Sequence, residues 1–266
     1  MSMQHLTGKV AIVTGSTQGL GADIARGLVQ AGASVTILGR GTEAGESLAR
    51  ELGARAIFCP ADIGRDADIA RSIDATLAAF GKLDILVNNA CVYADRGLAS
   101  TREEWHHTLD INLISAAIFT QQAAPHLPPG GVVVNVGSTG GKFGAAGRAL
   151  YPASKAALLH LTKNFAVELA PQGVRVVSVS PAWTWSPALE TLAAGSRARA
   201  DAVGAAVHPL GRVGSGAEVA AAVGFVCSDA ASWITGADIP VDGGFSALGP
   251  DRGLSPRAWF AATSGE

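Results

Sequence analysis

Short, uninterrupted apolar runs alternate along the chain with longer stretches in which apolar residues recur at helical spacing. Short runs rich in Val and Ile are typical of parallel strands that are buried on both faces. The intervening stretches, such as 66–80 and 151–170, have the length and spacing of amphipathic helices. The alternation predicts a single α/β domain, doubly wound, with a seven-stranded parallel sheet. The predicted strands lie at 9–14, 34–38, 56–59, 83–87, 132–136, 174–179 and 238–244.

Composition agrees with this architecture and argues against several classes of protein. The chain has 266 residues, of which 48% are hydrophobic and 16% charged, enough for a sizeable core. A net charge of -2 gives no basic field for a nucleic-acid partner. No apolar run approaches the roughly 18–20 residues of a membrane-spanning helix. The N-terminal residues enter a strand without the pattern of a signal peptide, so we expect a cytoplasmic protein.

Cysteine and histidine spacing predicts neither a disulfide framework nor a metal site. Cys59, Cys91 and Cys227 are odd in number, far apart and form no CxxC pair. The six histidines contain no HExxH pattern. Structural zinc and disulfide-stapled folds both need closer and more regular spacing than this.

A glycine-rich turn follows the first predicted strand directly. Gly15-Ser16-Thr17-Gln18-Gly19-Leu20-Gly21 leads into an amphipathic stretch that reaches about Ala31. Glycines allow the backbone to approach a pyrophosphate, and the helix N-terminus offers free N–H groups and a positive dipole end. The spacing is GxxxGxG rather than GxGxxG, and a tight turn without a ligand is the alternative interpretation. Its place between a strand and a helix favours a dinucleotide site.

The end of the second predicted strand bears on the choice of dinucleotide. Dinucleotide-binding folds often carry an acidic residue there for the ribose 2′-hydroxyl, or an arginine for a 2′-phosphate. This chain has Gly39-Arg40, with no acid before Glu43. A guanidinium can bind a phosphate through two hydrogen bonds, which favours NADP, with NAD still possible. An exposed arginine without a ligand is also compatible with this position.

Tyr151-Pro152-Ala153-Ser154-Lys155 places a phenol and an ammonium four residues apart. On a helix these side chains share one face, and Pro152 fits only in the first helical turn. A free tyrosine is a poor base near neutral pH, but a neighbouring cation stabilises the phenolate. Ser138, at the end of the fifth predicted strand, could hold a substrate oxygen beside the phenol. This combination predicts acid/base chemistry on an alcohol or carbonyl, although a surface tyrosine and lysine would give the same spacing.

Other polar residues follow predicted strands in the same way. Asn88-Asn89 and Ser180-Pro181 come at strand ends, where parallel sheets bind ligands. Buried asparagines need hydrogen-bond partners, so either a structural or a ligand role is expected for them. Asn112 lies within a predicted helical region that runs from about 101 to 126. Asparagine is a poor residue inside a helix, which suggests a local polar task.

Taken together, these residues resemble the short-chain dehydrogenase/reductase family. The resemblance covers roughly 6–245 and implies a Rossmann fold for 1–246, with a substrate-covering lid at 182–214 and a C-terminal tail at 247–266. It rests on Thr14-Gly15-x-x-x-Gly19-x-Gly21, Asp62, Asn88-Asn89-Ala90, Asn112, Ser138, Tyr151-x-x-x-Lys155 and Val241-Asp242-Gly243-Gly244.

The resemblance also implies roles for individual residues. Tyr151 would be the general acid/base and Lys155 would promote its ionisation and hold the nicotinamide ribose. Ser138 would orient the substrate oxygen, and Asn112 would anchor a water in a proton relay. The residues expected to bind the cofactor are Gly15, Thr17, Gln18, Gly19, Leu20, Arg40, Asp62, Ile63, Asn89, Ala90, Tyr151, Lys155, Pro181, Ala182 and Thr184.

Two positions depart from the family pattern. Cys91 stands where a glycine usually follows Asn-Asn-Ala, and its side chain could crowd the cofactor or require a negative φ. We expect a buried thiol without chemistry there. Ala182 replaces the glycine after the sixth strand's proline, which is a small change. Neither departure removes a predicted catalytic group.

The lid and the tail carry the predictions about substrate and assembly. Thr139, Trp183, Trp185 and Leu189 are candidate substrate contacts, and the tryptophans would suit an apolar or ring-containing alcohol or carbonyl compound. The alternative is that the tryptophans only pack the lid onto the core. The tail is expected to pack on a neighbouring subunit, because the large apolar pair Trp259-Phe260 would otherwise face solvent. Family members are commonly tetramers or dimers, and the sequence does not choose between these states.

The function predicted from the sequence is an NADP-preferring oxidoreductase that interconverts a secondary alcohol and a carbonyl compound. A second interpretation is a nucleotide-sensing protein that has kept the fold and lost the chemistry. The presence of Ser138, Tyr151, Lys155 and Asn112 together argues against a pure sensor. A third interpretation keeps the enzyme but assigns it dehydration or epimerisation.

Overall fold

The described part of the computed structural model comprises residues 5–249 and 252–263, with side chains up to Phe260. Within it, seven parallel strands form one sheet in the order β3-β2-β1-β4-β5-β6-β7. The strand order reverses between β1 and β4, and such a switch point opens a crevice at the carboxyl ends of the strands. The strands are β1 (Val10–Val13), β2 (Ser34–Gly39), β3 (Ala56–Pro60), β4 (Ile85–Asn88), β5 (Val132–Val136), β6 (Arg175–Pro181) and β7 (Asp238–Val241).

Helices cover both faces of this sheet. A one-turn π-helix, Asp110–Ile114, interrupts the long helical run that the sequence predicts between 101 and 126. That run begins at Thr101, which forms a capping box with Glu104. The α-helices are α1 (Gly19–Gln30), α2 (Thr42–Leu52), α3 (Asp66–Phe80), α4 (Arg102–Leu109), α5 (Ser115–Ala123), α6 (Leu150–Leu169), α7 (Pro187–Leu192), α8 (Arg197–Gly204), α9 (Gly216–Cys227) and α10 (Pro256–Thr263).

The strands are apolar at consecutive positions because each face of the sheet has its own core. Successive side chains of a strand point to opposite faces, so Val13 packs against α1 and α9 while Ile12 packs against α3, α5 and α6. Full burial of such a side chain contributes about 1.5–3 kcal/mol relative to an exposed one. The doubly wound parallel sheet predicted from the sequence is therefore confirmed. Helices α2 and α9 were not predicted from the sequence pattern.

A buried polar network ties the centre of the sheet to the helices. Asn88 Nδ2 donates to Asn135 Oδ1 at 2.9 Å and to Thr120 Oγ1 at 3.1 Å. Asn135 Nδ2 donates to Thr162 Oγ1 at 2.9 Å. Unpaired buried amides would cost several kcal/mol, so these bonds fix the position of β4 and β5. Of the two roles left open for Asn88, the structure favours the structural one.

None of the described helices has the length and apolar character needed to cross a membrane. Part of the tail prediction, including Pro250, lies outside the described residues. Within α10, Trp259 and Phe260 are exposed. A subunit interface at the tail stays a prediction.

Candidate active site

The glycine-rich turn between β1 and α1 is packed so closely that side chains are excluded. Gly15 has a φ of +62° and Gly19 a φ of +54°, a region that suits glycine. A Cβ on Gly15 would lie 2.8 Å from the Cα of Ala90. A Cβ on Gly21 would collide with the Gly15 carbonyl oxygen and lie 2.5 Å from Asn89 Nδ2. Close contacts therefore require glycine at 15 and 21, and a positive φ favours it at 15 and 19.

Thr14 and Asn89 hold this turn against the end of β4. Thr14 Oγ1 accepts hydrogen bonds from the backbone N–H groups of Asn89 at 2.9 Å and Ala90 at 3.0 Å. Asn89 Nδ2 donates to the carbonyl oxygens of Thr14 at 2.9 Å and Gly15 at 3.2 Å. The side chain of Asn89 thus braces the turn rather than pointing freely at a ligand. Thr14 was not among the predicted site residues.

A cavity of about 690 Å³ opens over the turn. Its volume lies in the range of cofactor sites, and its floor is the N-terminus of α1, where free N–H groups favour a pyrophosphate. The cavity and its glycine floor fit an extended dinucleotide. Ten of the predicted cofactor residues line it: Gly15, Thr17, Gln18, Gly19, Leu20, Arg40, Asp62, Ile63, Asn89 and Ala90. Residues that sequence reasoning missed also line it, including Arg65, His107, Ile111, Ser186, Pro187 and Ala188.

Where β2 ends, the cavity is lined by Arg40, and the preceding position, Gly39, has no room for an acidic side chain. Arg40 is exposed there, directly after Gly39. A Cβ on Gly39 would lie 2.7 Å from Thr17 Cγ2, so the position that carries the acidic residue in other dinucleotide folds cannot hold one unless Thr17 moves. Arg40 thus presents a guanidinium next to the position at which other dinucleotide folds carry an acidic residue.

Tyr151 and Lys155 lie on one face of the first turns of α6. Tyr151 is 7% exposed and Lys155 is 2% exposed. Lys155 Nζ lies 5.7 Å from the centre of the Tyr151 ring and donates to the carbonyl oxygen of Val136 at 2.7 Å. A buried ammonium with few partners favours any negative charge that develops on the phenol oxygen.

Ser138 is brought to Tyr151 by two glycines that follow β5. Its Oγ accepts a hydrogen bond from the Gly140 N–H at 3.0 Å. A Cβ on Gly140 would lie 3.3 Å from Ser138 Oγ and 3.6 Å from Tyr151 Cε1, so the serine and the phenol flank the same spot. A Cβ on Gly141 would lie 2.8 Å from the backbone N of Ala156 on α6. The serine can therefore donate its O–H proton to a substrate oxygen beside Tyr151.

The side chain of Asn112 joins three segments of the site. It sits in the π-helix, a feature frequent at functional sites, and is buried. Its Oδ1 accepts from the Val92 N–H at 2.7 Å, and its Nδ2 donates to the Val92 carbonyl at 3.0 Å and to Ser154 Oγ at 3.1 Å. These bonds occupy the amide, so its side chain positions the loop after β4 against α6. Anchoring of a water in a proton relay, which the resemblance implies for Asn112, stays a prediction.

Asp95 is a functional candidate that sequence reasoning missed. Its carboxylate accepts from the backbone N–H groups of Gly97 at 3.0 Å, Ala149 at 2.9 Å and Tyr151 at 3.1 Å. Burial acts to raise the pKa of the Asp95 carboxyl, but these N–H groups outweigh burial and hold that pKa below its usual range. The carboxylate caps α6, the helix that carries Tyr151. Its negative charge interacts favourably with the positive end of the helix dipole.

Tyr93 and Cys91 form the wall of the site next to Tyr151. The rings of Tyr93 and Tyr151 stack with centroids 5.0 Å apart. Burial raises the pKa of the Tyr93 phenol, and the neighbouring Cys91 and Tyr151 act in the same direction, although 62% of the residue is open to solvent. Cys91 lines the large cavity, and its backbone does not adopt a positive φ. The cysteine is therefore accommodated without the backbone strain that a replaced glycine could have caused.

The lid contributes to the site differently from the sequence expectation. Trp185 and Leu189 pack on the lid's own small core of Ala193, Ala200 and Val213, so they stabilise α7 and α8 rather than face the reactive groups. Arg197 lies over the Trp185 ring at 5.6 Å. This placement agrees with the alternative that a lid tryptophan has a packing role.

A second cavity of about 300 Å³ lies behind the start of the lid. Trp183 and Thr184 line it, and Thr184 Oγ1 donates to the Ala182 carbonyl at 3.1 Å. Thr184 therefore lines the second cavity, whereas Ser186, two residues later, lines the large one. Pro181 ends β6 and Ala182 follows it. Neither of them lines either cavity, and the same holds for Thr139, Tyr151 and Lys155.

Comparisons with known proteins agree with this geometry. A family model described as enoyl-(acyl carrier protein) reductase matches residues 15–246. A crystal structure of a short-chain dehydrogenase/reductase, a glucose/ribitol dehydrogenase from Brucella melitensis, is similar with a TM-score of 0.84 and 30% identity, covering 90% of this chain and 97% of that one. The chain belongs to the short-chain dehydrogenase/reductase family.

Curated members of the short-chain dehydrogenase/reductase family match almost the whole chain. Cis-4-hydroxycyclohexanecarboxylate dehydrogenase of Sinomonas cyclohexanicum is 36% identical over 247 residues, which is 90% of this chain and 97% of that protein. L-fucose dehydrogenase of Mus musculus is 36% identical over 248 residues, 91% of this chain and 90% of that protein. As a member of this family, the chain is an oxidoreductase that uses a nicotinamide dinucleotide.

Proposed function

We propose that this protein is an NADP-preferring oxidoreductase that interconverts a secondary alcohol and a ketone, with Tyr151 as the general acid/base. The observation that carries the proposal is the convergence of Ser138, Tyr151 and Lys155 beside a dinucleotide-sized cavity with a glycine floor. None of these three groups is needed for nucleotide sensing. Their convergence supports chemistry on an oxygen atom.

Each group has a distinct task in this proposal. The bound nicotinamide supplies or accepts the hydride. Ser138 donates its O–H to the substrate oxygen and fixes its position. During reduction Tyr151 transfers its phenol proton to the carbonyl oxygen, and during oxidation it takes the proton back. Lys155 stabilises the phenolate that forms in between, and its burial strengthens this interaction.

The predicted substrate is a compact, largely apolar molecule with a ring. Tyr93, which stacks on Tyr151, presents exposed aromatic surface at the reactive end of the site. Two relatives are named for the oxidation of cyclic compounds, hydroxycyclohexanecarboxylate and fucose. This aromatic surface and these names together support a cyclic secondary alcohol.

A matched pair of tyrosine variants tests the role of Tyr151, because the chain holds two tyrosines and both lie in the site. Tyr151→Phe should bind NADPH as the wild type does and lose about 10²- to 10⁴-fold in turnover of a cyclic ketone, the usual contribution of general acid catalysis. Tyr93→Phe removes the neighbouring hydroxyl and should lose far less. Near-normal turnover by Tyr151→Phe would refute the assignment. An enoyl thioester in the same assay separates carbonyl chemistry from reduction of a carbon–carbon double bond.

The cofactor preference has its own test. Arg40→Gln should weaken NADPH binding by roughly tenfold or more, the effect of losing a charge-assisted phosphate contact, and leave NADH binding nearly unchanged. Arg65→Gln is the matched control, because Arg65 lines the same cavity. Fluorescence titration with each dinucleotide measures both affinities. Equal affinity of the wild type for NADPH and NADH would overturn the NADP preference.

A further inference from the structure

Arg148 places a guanidinium on the solvent side of the reactive phenol. Its Cζ lies 5.1 Å from the centre of the Tyr151 ring, and the residue is exposed. Lys155, the other cation near this ring, is buried and donates to a backbone carbonyl. Arg148, like Tyr151 itself, does not line the large cavity, so the guanidinium lies beside the phenol and outside the dinucleotide cavity.

The charge of Arg148 has no partner within residues 5–249 and 252–263, where the residue forms neither a hydrogen bond nor an ion pair. Asp95 lies next to it in the fold but accepts hydrogen bonds from the Ala149 and Tyr151 N–H groups instead. The lid arginines differ. Arg197 pairs with Asp201 at 3.0 Å and Arg212 with Glu218 at 2.6 Å. A guanidinium that is unpaired beside a reactive group is available to bind an anion.

Aromatic surface lies beside this cation. Tyr93 stacks on Tyr151, and most of the Tyr93 residue is open to solvent. Phe143 lies on the same connection as Arg148, between β5 and α6, and contacts Phe245 edge-on at 5.7 Å. A molecule bound here would therefore meet apolar ring surface along its body and a single positive charge at one end.

We propose that Arg148 binds a carboxylate on the substrate, so that the preferred substrates are cyclic hydroxy acids and the corresponding keto acids. The inference rests on the proposed function, because the alcohol or ketone oxygen lies at Tyr151 while the carboxylate reaches the guanidinium. A planar guanidinium binds a carboxylate through two parallel hydrogen bonds. One guanidinium matches the single charge of a carboxylate.

Calorimetric binding to the enzyme with saturating NADPH tests the site without requiring turnover. The probes are cyclohexanecarboxylate and cyclohexanecarboxamide, which share a ring and differ in charge. The wild type should bind the acid at least about tenfold more tightly than the amide, since hydrogen bonds to charged groups exceed neutral ones by this order. Arg148→Gln should abolish the difference, and Arg148→Lys should restore part of it. Arg199→Gln, on α8, should keep the full difference.

Equal binding of acid and amide by the wild type would overturn the proposal, as would a preference that survives in Arg148→Gln. Failure of both probes to bind would overturn it as well. Circular dichroism of each variant checks that the fold is retained. Turnover of cyclohexanone by the wild type separates this inference from the proposed function. Acid preference without any ketone turnover would leave the anion site standing and reject the alcohol chemistry.

Discussion

The two walls of the site are built in opposite ways. On the sheet side, Gly15, Gly21 and Asn89 contact neighbouring segments closely, and the Thr14 hydroxyl and the Asn89 amide have fixed hydrogen-bond partners. On the lid side, α7 and α8 pack on a small core of their own. The sheet wall holds the glycine turn and Asn89, and its close contacts leave no room for larger side chains. Changes in the lid core are therefore expected to affect substrate selectivity more than the chemistry.

The largest expected effect is on the sheet wall. Gly21→Ala would force a Cβ against the Gly15 carbonyl and the Asn89 amide. Overpacking of this kind costs about 1–3 kcal/mol, and because it deforms the dinucleotide turn we expect roughly 100-fold weaker NADPH binding. Fluorescence titration measures this. Gly144→Ala is the control, since a Cβ there meets no atom within 4 Å. Wild-type NADPH affinity in Gly21→Ala would show that the turn can accept a larger side chain at this position.

The next effect concerns the cap of α6. Asp95→Ala removes the acceptor for the Ala149 and Tyr151 N–H groups. Lost caps cost about 0.5–2 kcal/mol, and a shifted phenol loses alignment, so turnover should fall by about tenfold with NADPH binding retained. Asp95→Asn should recover part of the loss. Asp66→Asn, in the first turn of α3, serves as a control. Unchanged turnover in Asp95→Ala would limit that residue to a structural role.

A change in the lid core should act on substrate affinity. Trp185→Ala removes the ring on which Ala193, Ala200 and Val213 pack, so α7 and α8 should open more readily. We expect KM for the ketone to rise roughly threefold to tenfold, because lid closure contributes to substrate binding. Steady-state kinetics measures this change. A fall in turnover as large as that of Asp95→Ala would contradict the separation of the two walls.

The smallest effect is expected at the outer edge of the lid. The Arg212 guanidinium holds the pKa of Glu218 at about 2, below its ordinary value of 4.5. The stabilisation from this pair is therefore present above about pH 4.5 and is lost as the pH falls toward about 2. Both side chains are more than a third exposed, so Glu218→Gln should lower the free energy of unfolding by only about 0.5–1 kcal/mol near neutral pH. Denaturant titrations at several pH values should show this difference shrink in acid. If the difference in unfolding free energy between wild type and Glu218→Gln did not change with pH, the ion pair would not be the source of the stabilisation.

The features that could be predicted from the sequence are those determined by residues close together along the chain. The strands are periodic, the glycine turn is contiguous, and Tyr151 and Lys155 are one helical turn apart. Asp95 could not be found this way, because it caps a helix that begins more than fifty residues later. Thr184 and Ser186 lie two residues apart in an irregular loop. Such a loop has no helical or strand periodicity from which to predict which of the two side chains faces the cavity. Packing of Trp185 inside the lid depends on α8, whose position the sequence pattern does not determine.

The contact between the lid and the glycine turn has a kinetic consequence. A Cβ on Gly19 would lie 3.5 Å from Cδ of Pro187, the first residue of α7. A dinucleotide in the cavity beneath would be enclosed by Ser186, Pro187 and Ala188. Movement of α7 away from the glycine turn would therefore ease entry and exit of the dinucleotide. The mobility of α7 and the rate of dinucleotide exchange would then be linked through this one contact.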